Sequence, residues 1–212
     1  MRKLVLLLSG ALLCAAACQT PKQTAANSTP TAQATSEPTP AAPASSRQTV
    51  WDLGSSLSLA ALGYARNAPE ASVTAMRQEA QTLAQGAGLE IAGFPAKKGE
   101  PDEDSAALLQ YLLTGPGAEL AAQIKEKYDT EHAALFDTAV KSNILILLYA
   151  PNGELNEKAA EGITKAARLA KLPEKYWQPT LDKVKANAPA TEISAEVKKM
   201  QEEVSDYLAT VK

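Results

Sequence analysis

From residue 49 to the C-terminus, Gly and Pro punctuate the chain about every ten to twenty residues, and Ala, Leu, Glu, Lys and Gln fill the intervals between them. Those five residues are strong helix formers, and the intervals match the lengths of globular helices. No stretch alternates apolar and polar positions with β-branched residues, as a half-buried strand does. The spacing therefore predicts an all-α fold, a single multi-helix bundle of about eight helices.

Local signals place the helices. Thr49-Val50-Trp51-Asp52 fits a capping box, with Thr49 as cap and Asp52 three residues on, and the first helix is expected to reach about Arg66. A second, capped near Asn67, ends at Gly86 and Gly88, and a third opens at Asp102-Glu103-Asp104-Ser105 and ends near Gly115-Pro116-Gly117. Glu119–Tyr128 and Glu131–Tyr149 read as two helices or as one bent helix. Leu155–Lys171 and Tyr176–Asn187 follow. The last helix, from Glu192, carries Ile193, Val197, Met200, Val204 and Tyr207 or Leu208 at spacings of three and four, a single buried stripe. Ile144-Leu145-Ile146-Leu147-Leu148 is the most apolar run after the N-terminus. It has no partner strand and is far too short to cross a membrane, so it reads as the buried end of a central helix, with Leu147 in the core.

A weak self-similarity runs through the same region. Trp51, Asp52, Leu62, Tyr64, Ala65 and Asn67 align with Phe136, Asp137, Leu147, Tyr149, Ala150 and Asn152 at one constant offset. Slightly further on, Ala87, Leu89 and Phe94 align with Ala170, Leu172 and Trp177. If this is a repeat, two halves pack as a pseudo-twofold pair, with the small residues of the first helix set against the fifth.

The first residues are of another kind. Met1-Arg2-Lys3 is positively charged, Leu4–Leu13 is apolar apart from Ser9 and Gly10, and small residues follow. That is the layout of a secretory signal peptide, here residues 1–17. Ala15-Ala16-Ala17 before Cys18 resembles the lipobox of bacterial lipoproteins, a family that prefers Leu where Ala15 stands. The resemblance implies lipidation at Cys18, export, and anchoring to a membrane of the bacterial cell envelope on its periplasmic or surface side. The same alanines also satisfy an ordinary A-x-A cleavage site. Residues 19–48 contain almost only Thr, Pro, Ala, Ser and Gln, with no aromatic residue and no Leu, Ile or Val. So little apolar surface cannot offset the entropy of ordering, so residues 18–48 are expected to be a disordered tether and 49–212 the globular domain.

The residue inventory excludes more chemistry than it suggests. Both cysteines, Cys14 and Cys18, precede the domain, so it is expected to need no disulfide. Acidic residues outnumber basic ones from residue 49 on, and no basic stripe forms, which argues against nucleic acid as a partner. His132 is the only histidine, too few for an ordinary zinc site or a di-iron bundle, and it reads as a surface or half-buried residue with ordinary hydrogen bonds. No nucleophile elbow, Walker loop or dinucleotide fingerprint occurs. The acidic cluster Glu100, Asp102, Glu103 and Asp104 lacks the spacing of a calcium loop and suits the positive end of a helix.

Tyr176 and Trp177 form the densest aromatic spot and are the one candidate binding patch, for a glycan or peptide, although Trp177 and Trp51 fit a core role better. No cofactor, metal or catalytic residue is expected. The functional expectation is a membrane-tethered, non-enzymatic interaction or scaffold module whose partners are the membrane, through its lipid, and an envelope protein or glycan. Two alternatives stand beside it. One is a carrier of a small apolar ligand between helices. The other is a carboxylate-only hydrolase of cell-wall glycan, which needs two carboxyl groups flanking a cleft.

Overall fold

The computed structural model describes residues 45–66, 68–93, 101–149 and 154–211, with positions 101–104, 147, 154 and 155 described in the backbone alone. Eight helices and no strand occur among the described residues: α1 (Ser46–Ala65), α2 (Glu70–Gly86), α3 (Pro101–Leu113), α4 (Pro116–Lys127), α5 (Thr130–Leu148), α6 (Glu154–Leu169), α7 (Glu174–Lys185) and α8 (Ala190–Thr210). The all-α bundle is as expected. The segment read as one bent helix or two is two, because Asp129 turns extended and its side chain caps α5 at the His132 N–H. The signal peptide, Cys18, Phe94, Asn67 and Glu100 lie outside the described residues, as do the side chains of Asp102, Glu103, Asp104 and Leu147.

The first boundary is corrected. α1 begins at Ser46, not after Thr49, and Ser45 is the cap, accepting from the Gln48 N–H. Ser45 and Gln48 have the S-x-x-Q spacing of a capping box, one turn upstream of the one first read. Thr49 is already helical and its hydroxyl donates back to the Ser45 carbonyl at 3.0 Å. Tertiary contacts hold this extra turn. Ser45 donates to the Leu208 carbonyl of α8 at 3.1 Å, and Arg47 reaches Glu131 at 3.1 Å and the Ala170 carbonyl at 2.8 Å. Residues 45–48 thus belong to the bundle and not to the tether. The other helix starts shift by one to three residues. α2, α7 and α8 follow Pro69, Pro173 and Pro189, none of which offers a side-chain cap.

α1 and α5 are the central pair. They run parallel: Ser46 meets His132 at their starts, Gly54 approaches Phe136 and Ala139 midway, and Arg66 donates to the Ile146 carbonyl at their ends. Small residues allow the approach. A methyl group built on Gly54 would stand 2.8 Å from the Phe136 carbonyl oxygen and 3.1 Å from the Ala139 Cβ. α2 packs on α1 and α6 on α5, while α4 borders α5 and α8 borders α1. These neighbours correspond between α1–α4 and α5–α8, whereas the α1–α3, α5–α8 and α6–α7 contacts have no counterpart of comparable extent.

Local detail follows the same correspondence. Ser46 bonds His132 and Arg47 bonds Glu131, 86 and 84 residues apart, the crossed pattern that a twofold axis makes. Asn143 donates to Ser58 at a separation of 85. α2 and α6 end alike: Gly88 and Lys171 take left-handed backbone at φ 60 and 55, and Leu89 and Leu172 donate back to Ala84 and Ala167 at 2.8 and 3.0 Å. Both ends are Schellman motifs.

One continuous apolar core fills the bundle, with Trp51, Leu53, Phe136, Leu145, Trp177 and Leu181 among its fully buried members. The expected α8 stripe is buried as Ile193, Val197, Met200, Val204 and Leu208, while Tyr207 is half-buried. In the apolar run of α5, Ile144 and Leu145 are buried but Ile146 and Leu148 only half so. The middle of α5 is unexpectedly polar: Thr138, Ser142 and Asn143 are buried. Thr138 and Ser142 hydroxyls bond back to carbonyls one turn earlier, so these groups need no water.

Candidate functional site

α6 is divided lengthwise. Asn156, Ala160, Ile163, Ala166 and Ala167 face the core. On its outer flank Glu157, Glu161, Lys165 and Arg168 follow one another at spacings of four, four and three, one exposed stripe along the helix with Thr164 within it and Leu169 beside it. The Schellman end at Lys171 turns the chain, Pro173 starts α7, and α7 lies back alongside α6. Trp177 fixes this turn from inside, donating from its indole N–H to the Leu172 carbonyl at 3.1 Å, with the Arg168 guanidinium 6.0 Å over its ring.

Between the two helices runs a groove of about 1180 Å³. Its apolar floor is Ala160, Leu181 and Val184, and its rims are the Glu157, Glu161, Lys165 and Arg168 edge of α6 and Lys185 of α7. The rim residues are exposed, so among the described residues the groove is open to solvent. Leu169 is one of two large exposed apolar side chains among the described residues, 49 % exposed. It also borders a second, smaller hollow of about 410 Å³ between α4, α5 and α6. Glu157 and Glu161 are neighbours on a single wall, one turn apart, and so do not face each other across the groove.

The sequence-derived candidates fall elsewhere or inside. Trp177 is 0 % exposed, so Tyr176 and Trp177 do not form a surface patch. The core role that Trp177 fitted better is the one it has, and the binding patch is corrected: the indole fills the corner where α6 turns into α7, and only Tyr176 reaches the surface. There its ring meets that of Tyr207 at a tilt of 36°, 5.0 Å between centroids, and lies under the Lys175 ammonium. Trp51 is likewise buried, donating to the Gln201 carbonyl at 3.2 Å. Cys18 lies outside the described residues.

His132 sits at the first turn of α5, bonded to Asp129 at 2.8 Å and to Ser46 at 2.9 Å and stacked on Tyr128 at 4.9 Å. Its partners are structural, and together they pin the starts of α1 and α5. The backbone N–H of His132, and then its ring, hold the Asp129 carboxyl below its ordinary range. Beside them Glu131 is also lowered, first by its bond to Lys171 and then by Arg47. No group of three or more His, Cys, Asp or Glu side chains suited to a metal occurs among the described residues.

Sequence reasoning passed over α6 because its charges read as an ordinary solvated face. The usable signal was their order on one stripe, two acids and then two bases, next to an exposed Leu. No protein-family model, curated protein or solved structure matches the chain.

Proposed function

We propose that this chain is a membrane-tethered, non-enzymatic interaction module of the bacterial cell envelope, which receives a protein partner in the α6–α7 groove. One observation carries the reading: an open groove with an apolar floor and charged rims on a bundle whose interior is otherwise a continuous core. The groove, of about 1180 Å³, is open to solvent at its exposed rims and does not enclose a ligand as a small-molecule site does. That favours a macromolecular partner over a carried apolar ligand. The glycan-hydrolase alternative draws no support from Glu157 and Glu161, which share one wall where such chemistry needs carboxyl groups on both sides of the bond. The signal-like start and the alanines before Cys18 support export and lipid anchoring.

Two measurements test this reading. Cys18→Ser is expected to lose the lipid by mass spectrometry and to leave the membrane fraction; a variant that partitions as the parent does overturns the anchor. A photo-crosslinking residue at position 169 in the membrane-bound chain is expected to capture protein. Failure to cross-link to any protein in intact cells overturns the groove as an interaction surface.

A further inference from the structure

The stripe on α6 is complementary to itself when reversed. Along the groove edge it runs Glu157, Glu161, Lys165, Arg168, acid to base, with the exposed Lys158 standing off that edge. Two such helices laid antiparallel about a twofold axis place Glu157 against Arg168 and Glu161 against Lys165, each pair occurring twice. A parallel pairing would instead set acid on acid and base on base. Acid first and base last also suits the helix dipole, but the dipole does not require the four charges to share one stripe facing a groove. Three of them are not committed within the chain. Among the described residues Glu157, Glu161 and Lys165 have no ion-pair partner, while Arg168 pairs with Glu174 at 3.5 Å, both side chains about two-thirds exposed, and lies 6.0 Å over the Trp177 ring.

We propose that the occupant of the α6–α7 groove is a second copy of this chain, docked α6 to α6 in antiparallel fashion about a twofold axis. The proposal rests on the reading of the groove as an interaction surface and names its partner. An isologous contact of this kind uses one patch twice. Leu169, standing beside the stripe, supplies apolar area on both sides. The charge order sets direction and register more than affinity, because exposed ion pairs contribute little by themselves.

Sedimentation of the full chain in detergent, read across the micromolar range, tests the proposal. The parent is expected to be a dimer. Glu157→Lys with Glu161→Lys makes the stripe wholly positive, and Lys165→Glu with Arg168→Glu makes it wholly negative. Each variant alone is expected to weaken self-association by at least about tenfold, while its circular dichroism stays helical because the altered side chains are exposed. An equimolar mixture of the two is expected to restore the dimer as a one-to-one heterodimer. A monomeric parent, or a mixture that does not associate, overturns the proposal. Cross-linking from position 169 to a different protein, combined with a monomeric parent, sinks the self-docking while leaving the groove as an interaction surface. Failure to cross-link at all removes the groove reading itself.

Discussion

Ser58 and Asn143 stand 85 residues apart in the chain at corresponding positions of the two halves, and they hydrogen-bond to each other. The Asn143 Nδ2 donates to the Ser58 Oγ at 2.9 Å. Equivalent residues can touch only on the axis that relates their halves. The pair therefore marks where the pseudo-twofold axis runs, along the line between two parallel helices. Both residues are buried, at 0 and 1 % exposure, and the bond is shielded from water.

The first prediction is a coupling between them. Ser58 also donates to the Gly54 carbonyl at 2.6 Å, so Asn143→Ala leaves its hydroxyl proton satisfied. Ser58→Ala instead leaves the Asn143 amide with only the Ser55 carbonyl at 3.5 Å. Each single change is expected to cost about 1–3 kcal/mol. A double-mutant cycle by denaturant unfolding should return a coupling of about 0.5–3 kcal/mol. Additive losses would show that the two side chains do not act on each other.

Gly54→Ala is expected to destabilise the domain although Ala is the better helix former by about 1 kcal/mol. The new methyl group would stand 2.8 Å from a backbone oxygen of α5, which cannot swing aside as a side-chain tip can. Forcing the central pair apart is expected to cost about 1–3 kcal/mol. A higher unfolding midpoint in the variant would mean that α1 and α5 are looser than this contact implies.

Trp177→Ala is expected to cost about 3–5 kcal/mol, because the indole is fully buried and its N–H is bonded to Leu172. A loss below about 0.5 kcal/mol would return Trp177 to the surface and restore the aromatic patch. Tyr176→Ala, at a half-buried site, should cost less.

Asp52 makes stability fall as pH rises. Burial raises its carboxyl above the ordinary value of 3.8, the Ser205 hydroxyl bond partly opposes that, and Glu79 adds to it. Between 3.8 and the raised value the folded chain holds a proton that the unfolded chain has lost, so this group's contribution declines through that window. Asp52→Asn, whose side-chain oxygen can still accept from Ser205, is expected to remove this decline and raise the unfolding midpoint at neutral pH. Parallel pH profiles for variant and parent would contradict it.

Lys171→Gly is expected to be neutral or stabilising by up to about 1 kcal/mol. Lys171 holds φ 55 where the corresponding position of the other half, Gly88, is glycine at φ 60. What the substitution loses is the contact to Glu131 from a side chain 73 % exposed, worth little in water. A loss above about 1 kcal/mol would show that the Arg47, Glu131 and Lys171 cluster locks α1, α5 and the end of α6 more firmly than exposed charges usually do.

Much of the fold was written locally. Helix-forming intervals between Gly and Pro gave the eight helices, and the three- and four-residue spacing of Ile193, Val197, Met200, Val204 and Leu208 gave the face that α8 buries, because both depend on backbone sterics and period alone. The self-similarity of Trp51–Asn67 with Phe136–Asn152 already hinted at halves. Three things were settled only when the helices met. The start of α1 moved to Ser46 because Leu208, Glu131 and Ala170, distant in sequence, bond its first turn. Trp177 was expected inside, but that it fills the corner between α6 and α7 was decided only by how those helices pack. The groove exists because α7 folds back on α6, which no local pattern encodes. A charge on a helix face looks the same in sequence whether water or another surface lies opposite it; packing decides which.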